Sequence, residues 1–194
     1  NMSDQDEAKF RMIEYHKWKF KAKIFSPLAP LTVKRTPVLM TRVEYGFLGS
    51  YNKYKKSPFE TFYMGGDGMS GYSSTYATET IGLRGYENGS IAGNGGYNSY
   101  GYAYSRLSME LRYPFLLEPS STIYGLVFVE AGNAWRDLKD FNPFQLKRSA
   151  GVGVRIFLPM IGLMGIDWAY GFDRPDGYDQ RGGSNFHFII GQEF

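Results

Sequence analysis

The sequence predicts an all-β fold, an antiparallel up-and-down transmembrane β-barrel of about eight strands, on three observations. Segments of period-two alternation recur along the chain, their connections differ in length in an ordered way, and aromatic residues, 18% of the 194 residues, crowd the apolar sides. No segment carries a convincing helical period.

Taken in order, the first strand sets Lys17, Lys19, Lys21 and Lys23 on one side and Trp18, Phe20, Ala22 and Ile24 on the other. In the second, Leu39, Thr41, Val43, Tyr45 and Phe47 oppose Met40, Arg42, Glu44 and Gly46. Pro58 to Met64 reads as a third strand with weaker alternation. Between Tyr102 and Tyr113 the polar side is Arg106, Ser108, Glu110 and Arg112, backed by Leu107, Met109 and Leu111. Thr122 to Trp135 reads as the fifth. In the sixth, Ala150, Val152, Val154 and Ile156 oppose Ser149, Gly151, Gly153 and Arg155. In the seventh, Met164, Ile166, Trp168, Tyr170 and Phe172 oppose Gly165, Asp167, Ala169 and Gly171, and in the last Phe186, Phe188, Ile190 and Phe194 oppose His187, Gly191 and Glu193.

The connections run long, short, long, short: Ser26 to Thr36, Gly66 to Tyr100, Arg136 to Lys147 and Asp173 to Ser184 are long, and Asn52 to Ser57, Phe115 to Ser121 and Pro159 to Ile161 are short. Outer-membrane barrels have this asymmetry between their two ends, and closure pairs every backbone group that lipid cannot solvate. A soluble barrel of lipocalin type would alternate as well, with the faces reversed. The exposure of Trp18, Trp168 and Phe188 against that of the lysine row separates the two. The longest near-apolar stretch, Phe157 to Ile166, holds a Pro and two Gly and is too short for a spanning helix.

Composition narrows function. There is no Cys, so thiol nucleophiles, disulfides and thiolate metal sites are excluded, and two His leave little for metal catalysis. A formal charge of +3 argues for no nucleic-acid partner. His16 and His187 have no Ser or carboxylate partner nearby in sequence and read as strand residues, so no catalytic residue, metal site or cofactor is expected. Gly66, Gly68 and Gly71 spell a dinucleotide fingerprint with no helix behind it, and Asp173, Asp176 and Asp179 with Pro175 and Gly177 read as turn chemistry. The lysine row reads as a solvated wall.

The Gly66 to Gly101 segment, about 35 residues, is too long for a mere connector. Arg84 lies in it between Gly82-Leu83 and Gly85-Tyr86. A guanidinium held inside a barrel requires partners, because an unpaired buried charge is strongly unfavourable. Glu110 and Glu130, on the strands that follow, are the available carboxylates.

Together these motifs resemble the BamA family of outer-membrane assembly factors, within a superfamily of insertases and secretion pores. Leu83-Arg84-Gly85-Tyr86 resembles the family's Arg-Gly-aromatic signature in the sixth surface loop. Glu110-Leu111-Arg112-Tyr113-Pro114, Val129-Glu130-Ala131-Gly132-Asn133-Ala134-Trp135, Ser149-Ala150-Gly151-Val152-Gly153 and Asp167-Trp168-Ala169-Tyr170 resemble the strands after it. Phe186, Phe188, Ile190, Gly191 and Phe194 resemble the C-terminal strand signal. The resemblance implies that residues 1–194 are the C-terminal half of a sixteen-stranded barrel, strands nine to sixteen, without the first eight strands and the periplasmic POTRA repeats. It implies that Arg84, Gly85 and Tyr86 lock the loop against Glu110 and Glu130, and that the terminal strand borders a lateral seam. The implied setting is the outer membrane of a Gram-negative bacterium. The implied partners are outer-membrane lipid, unfolded β-barrel clients and accessory lipoproteins reached through the POTRA repeats. A secretion pore of the same superfamily, or a passive channel, is the alternative.

Overall fold

The computed structural model describes residues 14–30, 32–51, 56–57, 59–68, 79–91, 100–118, 120–160 and 162–190. The expected strand-signal residues Gly191 and Phe194 lie outside them. The strands are β1 (Tyr15–Pro27), β2 (Val38–Ser50), β3 (Phe62–Met64), β4 (Glu79–Ile81), β5 (Ala103–Glu118), β6 (Ser121–Trp135), β7 (Lys147–Leu158), β8 (Gly162–Gly171) and β9 (Gly183–Ile190). One helical turn, Leu138–Asp140, is the only helix among the described residues. Seven strands form a single sheet in the order β1-β2-β5-β6-β7-β8-β9, with β1 and β9 as its two edges, so the sheet is curved wall and not a closed ring. Every pairing in it is antiparallel.

Register explains the two faces. Leu111, Val127, Val152, Trp168 and Phe186 sit opposite one another across five strands, and all five are exposed. Trp18 is 70% exposed and Phe188 62%, whereas Arg42, Glu44, Arg106, Glu110, Glu130, Arg155 and Asp167 are buried on the other face. A soluble barrel requires the reverse, so this is the wall of a membrane barrel, apolar outward and charged inward. Val127, halfway along β6, is 56% exposed on the apolar face. Replacing it by Lys should destabilise the barrel in lipid by about 2–4 kcal/mol. Equilibrium unfolding in bilayers checks this, with Thr122→Lys near the strand end as the smaller comparison.

Pro58 to Met64 is not a wall strand. β2 passes directly to β5, from Val38 opposite Arg112 to Phe47 opposite Ala103, which leaves no place between them. A crossing strand requires about 9–11 residues; among the described residues of this segment only Phe62–Met64 is extended, paired in parallel with β4 inside the concave face. Removing that strand also moves the first connection. Residues 28–37 fall at the same end as the tight links after β5 and β7, so Ser26 to Thr36 belongs to the short-turn end despite its length.

The core lies where the long β2–β5 connection folds back onto the wall. Phe62, Met64, Ile81, Leu83, Tyr86 and Ile91 from the connection pack on Leu48, Tyr104 and Ala134. Backbone bonds stitch the segment to itself and to the wall: Gly65 N–H donates to the Ile81 carbonyl at 3.0 Å, Leu83 N–H to Gly66 at 3.1 Å, and Phe62 N–H to Gly101 at 2.9 Å. Buried backbone groups are thereby paired, as they must be in a water-poor interior. The lysine row is not merely solvated. Lys17 reaches Glu60 at 2.8 Å and Glu79 at 3.0 Å and Lys19 pairs with Glu79, tying β1 to the loop, while Lys21 lies 3.6 Å from Glu44 of β2.

Candidate functional site

The hairpin-like segment from Leu83 to Tyr86 carries Arg84 into the concave face, where its side chain has no exposed surface. Three wall strands supply its partners. Arg84 Nη2 donates to Glu110 Oε1 of β5 at 2.5 Å and to Glu130 Oε1 of β6 at 2.7 Å. Nη1 donates to Asp167 Oδ2 of β8 at 2.9 Å, and the Arg84 backbone N–H donates to Glu130 Oε2 at 2.9 Å. The guanidinium lies over the Phe128 ring, 3.5 Å from its centroid. Glu110 and Phe128 are cross-strand partners, so ring and carboxylate meet the same guanidinium from one row of the wall.

Each carboxylate is shared. Arg112 donates to Glu110 Oε2 through Nε at 3.0 Å and Nη2 at 2.7 Å. Arg106 Nη2 and the Ser108 hydroxyl reach Glu130 Oε1 at 2.9 and 3.1 Å. Arg155 holds Asp167 with a two-pronged contact at 2.5 and 2.7 Å. The result is an alternating network in which every anion sees at least two cations, the condition under which buried charge is tolerated.

The other two residues of the motif seat the loop. Gly85 has φ +88°, and a Cβ there would stand 2.9 Å from the Gly171 backbone N and 2.9 Å from the Ser149 Cβ. Only glycine meets both demands. Its N–H donates to His187 Nε2 of β9 at 3.0 Å. The Tyr86 hydroxyl donates to the Arg148 carbonyl at 2.6 Å and accepts from the Asp173 N–H at 3.3 Å. Burial pushes its pKa up to about 12, so the phenol keeps its proton. Asp173 in turn accepts from Arg148, which holds its carboxyl below the usual range.

The expected site residues therefore divide into three groups. Arg84, Glu110 and Glu130 come together directly, with Gly85 and Tyr86 seating the loop beside them. Phe186, Phe188 and Ile190 lie exposed on the outer face of the edge strand β9; Gly191 and Phe194 are outside the described residues. Asp167, Arg155, Arg106, Arg112 and His187 join the site without having been expected in it. The available signal for Asp167 was its position as the lone carboxylate among Gly165, Ala169 and Gly171 on the inward side of its strand. His187 is not the isolated strand residue its sequence context suggests. Asp176 pairs with Lys147 at 2.8 Å, and no group of residues suited to a metal ion occurs among the described residues.

The crystal structure of BamA from Haemophilus ducreyi lacking POTRA domains 1–3 superposes with a TM-score of 0.63 at 21% identity, over 91% of this chain and 35% of that one. The chain thus spans about a third of that structure's length, and the likeness is one of fold. No curated protein sequence matches. Residues 9–194 match the Omp85 superfamily domain, nearly the whole chain, and the protein belongs to that superfamily.

Proposed function

We propose that the chain is the loop-bearing C-terminal part of a bacterial outer-membrane barrel that assembles and inserts other β-barrel proteins, in a Gram-negative envelope. The observation that carries the reading is Arg84, tied at once to β5, β6 and β8, in a loop whose next residue touches β9, an edge of the sheet. Such a reading requires no catalytic group. An unsatisfied strand edge templates pairing with an incoming strand, and a locked loop keeps the wall beside that edge in shape. Membership of the Omp85 superfamily and the likeness to a BamA structure support it.

On this reading β9 is the sixteenth strand, and the seven described wall strands count back from it to the tenth. β9 borders the seam through which unfolded clients meet lipid, with Phe186, Phe188 and Ile190 toward the bilayer. Accessory lipoproteins engage POTRA repeats of the longer protein. Depleting that protein should remove many outer-membrane barrels together, measured by envelope proteomics. A high, steady conductance in planar bilayers with all other barrels retained would instead establish a secretion pore or passive channel.

A further inference from the structure

We propose that His187 is a positioning residue, whose neutral imidazole tethers the arginine loop to the terminal strand and whose protonation releases it. The proposal rests on reading the loop as a lock, and adds what connects that lock to the seam. Arg84 holds β5, β6 and β8; the bond from Gly85 N–H to His187 Nε2, at 3.0 Å, is the hydrogen bond that joins the motif to β9 among the described residues. His187 is 7% exposed and sits opposite Asp167 in the β8–β9 register.

The chemistry follows from the acceptor role. A ring nitrogen that accepts a hydrogen bond carries no proton, so the neutral ring bears its proton on Nδ1. An imidazolium carries protons on both nitrogens. Its Nε2–H would then face the Gly85 N–H donor head to head, and the bond is lost. Histidine makes this change within the ordinary range of pH.

The charged groups around the ring direct where the imidazolium goes. Asp167 lies opposite it on β8, and the charges of Glu130 on β6, Arg84 in the loop and Asp67 in the segment after β3 also act on the ring. Asp167 and Glu130 are already engaged by arginines, and Arg84 repels the new charge. Wherever the imidazolium then turns, its Nε2 no longer accepts from Gly85, and the loop and β9 uncouple while the Arg84 network stays in place.

The test is hydrogen exchange in the full-length protein in lipid bilayers, following the peptide that contains residues 82–86 at about pH 8 and about pH 5, corrected for intrinsic rates. Wild-type uptake should rise several-fold at the lower pH. His187→Gln, whose amide oxygen still accepts, should stay protected at both. His187→Leu should be raised at both, and Arg84→Ala should be raised whatever occupies position 187. A pH response persisting in His187→Gln, or protection of His187→Leu equal to wild type at about pH 8, overturns the tether. Client assembly measured on the same variants separates the two ideas: uptake that changes as described with assembly unaltered keeps the tether and defeats the insertase reading.

Discussion

An Arg84→Ala substitution in the full-length protein should destabilise the folded barrel by about 3–5 kcal/mol and sharply reduce client assembly, while the wall strands still form. Arg84 is a cation that Glu110, Glu130 and Asp167 share, and its side chain is fully buried. Each carboxylate keeps a second arginine, Arg112, Arg106 or Arg155, so the wall does not collapse for want of charge. What disappears is the link between strands and loop. Arg84→Lys should rescue little, because a single ammonium cannot reproduce two nitrogens aimed at three carboxylates and a planar group stacked on Phe128. Heat-modifiable electrophoretic mobility reads barrel formation, and folding of a radiolabelled client reads assembly. Normal client assembly by Arg84→Ala would refute the lock.

The difference between what was legible in the sequence and what was not has one physical root. Faces are a property of a single strand, so β2, β5, β7 and β8 declare theirs through period-two alternation alone, and the outward row from Leu111 to Phe186 follows. Which end a connection occupies depends on counting every crossing, and one three-residue strand mistaken for a wall strand reverses the assignment of residues 28–37. The site shows the same division. Glu110 and Glu130 were identifiable because they stand on the inward sides of the two strands following the loop. Asp167 and His187 lie 83 and 102 residues from their partners in the Arg84–Gly85 pair, and only the register across β5 to β9 together with the depth of the loop brings them there. The paired state of the lysine row depends on Glu60 and Glu79 entering the concave face, which no local pattern announces.

Gly85→Val should disable the lock with every charge left in place. Valine at φ +88° is strained by about 1–2 kcal/mol, more for a β-branched side chain than for most. Its Cβ would also meet the Gly171 backbone N at 2.9 Å and the Tyr170 carbonyl carbon at 3.0 Å, atoms fixed by the β7–β8 ladder, adding an overpacking penalty of about 1–3 kcal/mol. The seat is tight from the other side as well: a Cβ on Gly171 would stand 2.3 Å from the Gly85 carbonyl oxygen, and one on Gly182 2.5 Å from it. Tyr86 and the Gly85 N–H are carried away with the displaced backbone, so the contacts to Arg148 and His187 go together. Gly162 isolates the first effect, since it has φ +93° and nothing within 4 Å of a Cβ. Gly162→Val should therefore show only the smaller backbone strain. Unfolding free energies for the two variants in the same bilayer, with hydrogen exchange across residues 82–86, decide the matter: equal losses would mean that the loop does not seat against β8.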